Sequence, residues 1–250
     1  MLPEPAGGRG VALLPAFNES ASIAATLRQI RTAVPALDIV VIDDGSTDDT
    51  ASVARAADAS VVVLRLPFNL GIGGALRTGF RHAVREGYDF AIQVDADGQH
   101  DPAQIAALIA PLASGADLVI GSRFADGSGA YAVSPVRRKA MSLLGLTLRG
   151  LLGRSFTDTS SGFRAFSARC LDYFARSYPA EYMESVEALL MACYAGLQVV
   201  EVPVTMHQRT AGQASNRQWR LVYHYLRIYV VLLSSASRHR RPHFQEATSA

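Results

Sequence analysis

Two aspartates separated by one residue are the clearest candidates for chemistry in this chain. Asp95 and Asp97 follow the mostly apolar run 88–94, which has the pattern of a short buried strand that opens into a loop. Residues i and i+2 of an extended chain point the same way, and two like charges there repel unless a cation or hydrogen-bond donors lie between them. The pair therefore predicts a Mg²⁺ site that also anchors a substrate diphosphate. A solvated turn, in which Gly98 supplies a positive φ, is the alternative.

The composition is that of an ordinary globular protein. The chain has 250 residues, of which 49% are hydrophobic and 18% charged, and this length suits one α/β domain. A formal charge of +2 is too small to indicate a nucleic-acid partner. Cys170 and Cys193 lie far apart without histidines at ligand spacing, which indicates free thiols in a reducing cytoplasm. Neither a signal peptide nor an apolar run of the roughly 20 residues that span a bilayer is present, so we expect a soluble or peripheral protein.

Strands and helices alternate along the first half of the chain. The predicted strands are 11–15, 37–42, 60–66, 88–94 and 117–120, with a late strand at 197–204. The predicted helices are 21–32, 49–57, 75–86, 103–112, 135–152 and 185–194, and a polar turn at 157–164 is followed by short helices from residue 167. This alternation predicts an α/β fold with a mostly parallel sheet flanked by helices.

Polar or glycine-rich loops follow each of the first four predicted strands: PAFNE, DDGSTD, NLGIGG and DADGQH. Taken singly, each loop has a structural explanation as a helix-capping or tight turn. The carboxyl ends of parallel strands share one edge of the sheet, where ligands gather. Asp43 and Asp44 are suited to accept hydrogen bonds from a base or ribose, and the glycines at 71–74 allow close backbone approach. Together the loops predict one polar cleft.

Two later segments are rich in cations. Arg137 and Arg138 lie at the start of a predicted helix, after a loop at 125–134 that we expect to be mobile. Cations are mildly unfavourable at a helix N-terminus, so a phosphate partner and a solvated first turn are both open. Residues 217–236 predict an amphipathic helix with a basic edge and aromatic residues, suited to a membrane interface. Packing on its own domain or in a homodimer is the alternative, and residues 237–250 are expected to be a disordered tail.

The motifs taken together resemble the family 2 glycosyltransferases, and within them the dolichol-phosphate mannose synthase branch. They are PAFNE, DDGSTD, NLGIGGA, DADGQHDP, GSR, TSSGFR and EVPV, followed by Arg209, Gly212 and Ser215. The resemblance covers residues 10–216 and implies a GT-A-type, Rossmann-like glycosyltransferase domain over that range.

The resemblance also implies roles for individual residues. The residues implied to bind the nucleotide sugar are Pro15, Ala16, Glu19, Asp43, Asp44, Gly71, Gly74, Asp95, Ala96 and Asp97. Those implied to hold Mg²⁺ or Mn²⁺ are Asp95, Asp97 and Gln99. Those implied to bind the acceptor phosphate are Arg123, Arg137, Arg138, Ser142, Arg209 and Ser215. Asp97, Arg123 and Arg209 are implied to be catalytic.

The implied reaction is an inverting, metal-dependent transfer of a hexose from a nucleotide-diphosphate sugar to a polyprenyl phosphate at the cytoplasmic membrane surface. GDP-mannose and UDP-glucose are the expected donors. A phosphate acceptor, whose second pKa is about 6, is largely ionised and needs no general base. Many relatives of this type carry transmembrane helices after the catalytic domain, and this chain has a single amphipathic segment there.

Three alternatives stay open. A sugar hydroxyl of a lipid-linked or soluble glycan would require a base, for which Glu184 and Glu187 are candidates. A dinucleotide-dependent oxidoreductase is disfavoured because GIGGAL lacks the third glycine of the fingerprint and follows the third strand. A protein that binds sugar nucleotides or membranes without catalysis is the third, because fold does not guarantee chemistry.

Overall fold

The computed structural model describes residues 8–125, 135–179 and 184–206, with side chains of the helix that begins at residue 135 described from residue 143. Its strands are β1 (Gly10–Ala16), β2 (Asp38–Asp43), β3 (Val62–Arg65), β4 (Phe90–Gln93), β5 (Leu118–Ser122), β6 (Arg164–Ser167) and β7 (Val199–Pro203). Its α-helices are α1 (Ile23–Ala33), α2 (Thr50–Ala57), α3 (Ile72–Arg85), α4 (Ile105–Ala113), α5 (Pro135–Leu152), α6 (Ala168–Ser177) and α7 (Glu184–Tyr194). A 3₁₀ turn, Pro102–Gln104, precedes α4.

The strands form one mixed sheet of seven strands in the order β3-β2-β1-β4-β6-β5-β7. Neighbouring strands are parallel except at β6, which is antiparallel to both β4 and β5. The predicted mostly parallel α/β sheet is therefore confirmed.

Strand β6 departs from the prediction of a polar turn followed by short helices. Its four residues, RAFS, are too few to show a strand period, and they contain an arginine in a segment that is almost wholly buried. Hydrogen-bonded neighbours on both sides, rather than local propensity, make this segment a strand.

Hydrophobic side chains cover both faces of the sheet. One layer packs against α3, α5, α6 and α7 and includes Ala91 and Phe166. The other packs against α1, α2 and α4 and includes Phe90 and Ile92. Successive residues of β4 thus face opposite layers, as expected of a strand buried on both sides.

Six strands run in the same direction, so their carboxyl ends lie at one edge of the sheet, and β6 begins at that same edge. The four polar loops predicted to share an edge do so. Within the described ranges, no helix combines the length and apolar character needed to cross a membrane.

Candidate active site

The loops after β1 and β2 are locked together by hydrogen bonds. Asn18, which has a positive φ of 56°, accepts at Oδ1 from the backbone N–H of Thr47 at 2.9 Å. The Asn18 N–H donates to Ser46 Oγ at 3.0 Å, and the Glu19 N–H donates to Thr50 Oγ1 at 2.9 Å. PAFNE and DDGSTD therefore form one polar wall rather than two independent loops.

Asp44 joins this wall to the glycine-rich loop. Its Oδ1 accepts from the backbone N–H of Leu70 at 2.7 Å, and the residue is only 3% exposed. Burial raises the pKa of Asp44 above the ordinary carboxyl value, and Asp43 adds to this, while the N–H groups of Leu70 and Gly71 oppose it. The Asp44 side chain is thus fixed at the edge of the sheet where the nucleotide is predicted to bind.

Asp43 is more deeply buried than Asp44. It is 1% exposed, its Oδ1 accepts from the Ser46 N–H at 2.9 Å, and its Oδ2 lies 3.4 Å from Arg65 Nε. These contacts shape the turn that carries Asp44. The predicted contact of Asp43 with the nucleotide stays a prediction.

The predicted glycines at the start of α3 have definite structural reasons. Gly71 has a φ of +79°, which favours glycine, and is the N-cap of α3. A Cβ at Gly74 would lie 2.5 Å from Leu70 Cβ, so only a glycine allows the loop to fold against the helix. Both residues keep the backbone of this loop close to the Asp44 wall.

Asp95 and Asp97, the two aspartates of the predicted metal site (the metal pair), lie in the turn after β4. Asp95 Oδ1 is buried and has no hydrogen-bond partner among the described residues, whereas Asp97 Oδ1 accepts from the Gln99 N–H at 3.1 Å. Ala96 is 3% exposed, and its carbonyl accepts from Thr26 Oγ1 at 3.2 Å, which ties the turn to α1. A buried carboxylate oxygen without a donor is the kind of ligand that Mg²⁺ or Mn²⁺ takes.

The side chains present would complete only part of a metal shell. In the described part of the chain, no group of three or more His, Cys, Asp or Glu side chains is placed to hold an ion. Mg²⁺ is commonly held by one or two carboxylates together with substrate phosphates and water. The Asp95 and Asp97 pair fits that mode of binding.

His100 supports Asp95 and had no role assigned from the sequence. Its Nδ1 accepts from the Asp95 N–H at 3.0 Å, and its Nε2 lies 3.5 Å from Asp95 Oδ2. The ring is 3% exposed and stacks on Phe163 with centroids 4.6 Å apart, and the His100 backbone forms a bridge to Met206. The only signal in the sequence is the final letter of DADGQH, because Phe163 and Met206 are distant along the chain.

Directly after β5, Arg123 is held in a bidentate pair with Asp158. Nε donates to Oδ2 at 2.6 Å, and Nη2 donates to Oδ1 at 2.7 Å and to Ser160 Oγ at 2.9 Å. Glu201 in turn accepts at Oε1 from the Thr157 and Asp158 N–H groups at 2.9 and 2.8 Å. Glu201 therefore fixes the turn before TSSGFR, and Arg123 is anchored at the sheet edge.

The remaining predicted residues are only partly described. Pro15 and Ala16 end β1, and the Ala16 carbonyl accepts from the Asp44 N–H at 2.8 Å. Arg137, Arg138 and Ser142 lie in the first part of α5, and only the backbone is described there. Arg209, Ser215, the predicted helix at 217–236, the tail at 237–250 and the loop at 126–134 lie outside the described residues.

Comparison with known proteins decides the family. Residues 12–174 match the sequence profile described as "Glycosyl transferase family 2". The chain belongs to glycosyl transferase family 2. Over 216 residues it is 38% identical to "Undecaprenyl-phosphate mannosyltransferase" of Micrococcus luteus, covering 82% of this chain and 86% of the relative. It is 33% identical over 211 residues to "Polyprenol monophosphomannose synthase" of Mycolicibacterium smegmatis, covering 82% and 79%.

Solved structures show the same fold. Glucosyl-3-phosphoglycerate synthase of Mycobacterium tuberculosis, solved with Mg²⁺ and UDP, has a TM-score of 0.65 and 25% identity over 92% of this chain and 80% of its own. The same enzyme with Mn²⁺, UDP-glucose and glycerol 3-phosphate gives a TM-score of 0.66 and 26% identity over the same shares. This family 2 glycosyltransferase thus has a GT-A-type fold, and its likeness to the dolichol-phosphate mannose synthase branch is confirmed.

Proposed function

We propose that this glycosyltransferase moves a hexose from a nucleotide-diphosphate sugar to a polyprenyl phosphate, with inversion, at the cytoplasmic face of the membrane. The observation that supports the proposal is the spatial order of three sites along one edge of the sheet. Asp44 follows β2, Asp95 follows β4 and Arg123 follows β5, and the sheet order is β2-β1-β4-β6-β5. The proposed nucleotide wall, metal pair and acceptor group therefore lie in the order in which the bound substrates need them.

The similar proteins favour particular substrates. Both curated relatives described above carry names that specify mannose and a polyprenyl acceptor. We therefore place GDP-mannose first as the donor and UDP-glucose second, since the UDP-glucose complex is that of a structural neighbour. In this assignment Pro15, Ala16, Glu19, Asp43 and Asp44 surround the nucleoside.

The proposed reaction breaks the bond from the anomeric carbon to the leaving diphosphate and forms a bond from that carbon to the acceptor phosphate oxygen. Attack from the face opposite the leaving group inverts the anomeric configuration. The acceptor oxygen is already ionised near neutral pH, because its second pKa is about 6, so no side chain removes a proton.

The side chains of this chain have binding roles in that reaction. Asp95, Asp97 and Gln99 would hold a divalent ion, which when bound supplies positive charge to the leaving diphosphate. The cations proposed to orient the acceptor phosphate are Arg123, Arg137, Arg138 and Arg209, with Ser142 and Ser215 as hydroxyl donors. Residues 217–236 are proposed to rest on the membrane that contains the acceptor lipid, or to form a homodimer contact.

Product analysis with the full chain tests this proposal. Labelled GDP-mannose or UDP-glucose, Mn²⁺ and undecaprenyl phosphate should give a labelled lipid, and omission of the lipid phosphate should abolish it. Asp97→Ala is the matched inactive control, with its fold checked by circular dichroism. Transfer to a glycan hydroxyl without any lipid phosphate would contradict the proposal.

One observation keeps the hydroxyl acceptor as a second candidate. Glu187 on α7 is half-buried, and burial raises the pKa of its carboxyl, which brings it closer to that of a general base at neutral pH. Glu184 is only 6% exposed, so Glu187 is the more open of the two carboxyls. Glu187→Gln should abolish transfer to a hydroxyl and leave transfer to a phosphate largely unchanged.

A further inference from the structure

Behind Asp95 lies a group of buried polar side chains, the polar cluster, formed by Gln93, Arg164, Tyr178 and Glu184. Gln93 and Arg164 are paired across β4 and β6. They share strand faces with Ala91 and Phe166, so both point toward the layer that contains α6 and α7. Tyr178 follows α6 and Glu184 begins α7. Four separate elements thus place polar groups in one part of an otherwise apolar layer.

Three atoms of the polar cluster lack partners among the described residues. They are Gln93 Nε2, Arg164 Nη1 and Tyr178 Oη, and each is buried. Arg164 is fully buried, and its other nitrogens donate to the carbonyls of Ser161 at 2.8 Å and Thr159 at 3.2 Å. These hydrogen bonds fix the orientation of the planar guanidinium, so Nη1 cannot reorient toward another acceptor. Unsatisfied buried polar groups are rare, and each one calls for a missing partner.

A metal ion cannot be that missing partner. Gln93 Nε2 and Arg164 Nη1 are donors, and only Tyr178 Oη can also accept. An ion bound by Asp95 would satisfy its orphaned Oδ1 and leave the donors as they are. The polar cluster therefore calls for oxygen atoms that accept hydrogen bonds.

The charges near the polar cluster disfavour an anion. Arg164 contributes one positive charge, and Asp95 a negative one. Burial raises the pKa of Glu184, with Arg164 opposing this and Asp95 adding to it, so the carboxyl is biased toward its neutral form. The charges of Arg164 and Asp95 offset each other, which suits a neutral molecule whose groups both donate and accept. Hydroxyl groups of a sugar have this property.

The polar cluster adjoins the cleft directly. A Cβ added at Gly162 would lie 3.0 Å from Gln93 Nε2 and 3.3 Å from both carboxylate oxygens of Asp95. The Asp95 side chain is 31% exposed, so one residue separates the buried donors from the open side of the cleft. A hexose attached to a diphosphate beside Asp95 has to lie next to this position.

We propose that the polar cluster binds hydroxyl groups of the donor hexose and so selects the sugar. This assignment rests on the proposed function and adds the residues that read the sugar. Gln93, Arg164 and Tyr178 donate to sugar oxygens, and the carboxyl oxygens of Glu184 accept from sugar hydroxyls.

Tyr178→Phe tests the assignment, because it removes only Oη and keeps the ring in the core. Binding of the nucleotide sugar and of the free nucleoside diphosphate, each with Mn²⁺, is measured by calorimetry. The Kd for the nucleotide sugar should rise about 3- to 10-fold, the value of one hydrogen bond, and the Kd for the diphosphate should not change. Wild type should discriminate against one of a set of deoxyhexose donors, and Tyr178→Phe should not.

Tyr88→Phe is the matched control. Tyr88 Oη donates to Asp38 Oδ2 at 2.9 Å at the opposite edge of the sheet, so this variant should lose thermal stability and keep both Kd values. Equal binding of the nucleotide sugar by wild type and Tyr178→Phe would overturn the assignment and leave the proposed function standing. Failure of wild type to bind any nucleotide sugar would overturn both.

Discussion

Arg123 and Asp158 form a two-pronged ion pair at the sheet edge, with nitrogen–oxygen distances of 2.6 and 2.7 Å. Asp158 is fully buried, so removal of the guanidinium leaves a carboxylate without its counter-charge. Arg123→Ala should therefore lower the free energy of unfolding by about 3–5 kcal/mol, measured by urea denaturation.

Arg85→Ala is the comparison for this prediction. Arg85 pairs with Glu86 at 3.0 Å, but their side chains are 73% and 41% exposed, so its loss should cost less than about 1 kcal/mol. If Arg123→Ala were as stable as Arg85→Ala and still lost transfer, Arg123 would act on the substrate and not on the fold.

Replacement of the metal pair should separate binding from folding. Asp95→Asn and Asp97→Asn keep the side-chain volume and remove the charge that a divalent ion needs. Each should reduce transfer about 100-fold or more, because a bound ion supplies several kcal/mol of transition-state stabilisation. Thermal shift with nucleotide sugar and Mn²⁺ checks this: wild type should gain stability and the variants should not. A variant that keeps its Mn²⁺-dependent shift would remove that aspartate from the metal site.

His100 should position Asp95 through the acceptor Nδ1. His100→Leu removes the partner of the Asp95 N–H, whereas His100→Asn places an amide oxygen near the same point. Supporting residues of metal ligands typically contribute about 10- to 100-fold in affinity, so His100→Leu should weaken Mn²⁺ binding by that factor. His100→Asn should recover most of the affinity. Equal losses in both variants would indicate that the ring contact with Phe163, not the hydrogen bond, matters.

A side chain at Gly162 should disturb Gln93 and Asp95 without unfolding the protein. The φ of this glycine is outside the left-handed region, but an added Cβ would press on Gln93 at 3.0 Å and on Asp95 at 3.3 Å. Gly162→Ala should therefore raise the KM for the donor while the protein stays folded. Gly150→Ala is the control, since no atom of the described residues lies within 4 Å of its Cβ position in α5. This variant should keep full activity and gain up to about 1 kcal/mol of stability, because alanine has a higher helix propensity than glycine.

The Asp48 carboxylate should stabilise the folded protein, and this stabilisation should be lost at strongly acidic pH. Burial would raise the pKa of this carboxyl, but hydrogen bonds from Thr50 and Ser20 outweigh it and lower the pKa from 3.8 to about 2. A lowered carboxyl pKa stabilises the folded state above the unfolded value, and this contribution is lost as the pH falls toward the folded value. Asp48→Asn should be less stable than wild type at neutral pH, with a difference that shrinks between pH 3.8 and about 2. Chemical denaturation of both proteins across that range measures the difference in free energy of unfolding. A difference that stays constant would contradict the lowered pKa of Asp48.

Much of the fold was predictable because its signals are local. The βα alternation up to β5 gives the parallel sheet, and the loops that follow the first four strands could be assigned to one edge before any coordinates. Strand β6 could not be predicted, because its four residues become a strand only through pairing with β4 and β5.

The site divides in the same way. The spacing of Asp95 and Asp97 and the order of the motifs are sequence properties, and they sufficed to predict a metal and diphosphate anchor in a family 2 glycosyltransferase. Tertiary structure alone decided which partners support it. His100 meets Phe163, Arg123 meets Asp158 and Gln93 meets Arg164 through contacts that join distant parts of the chain. Such contacts depend on strand order and on the face that each side chain takes, and an antiparallel strand placed between β4 and β5 sets both.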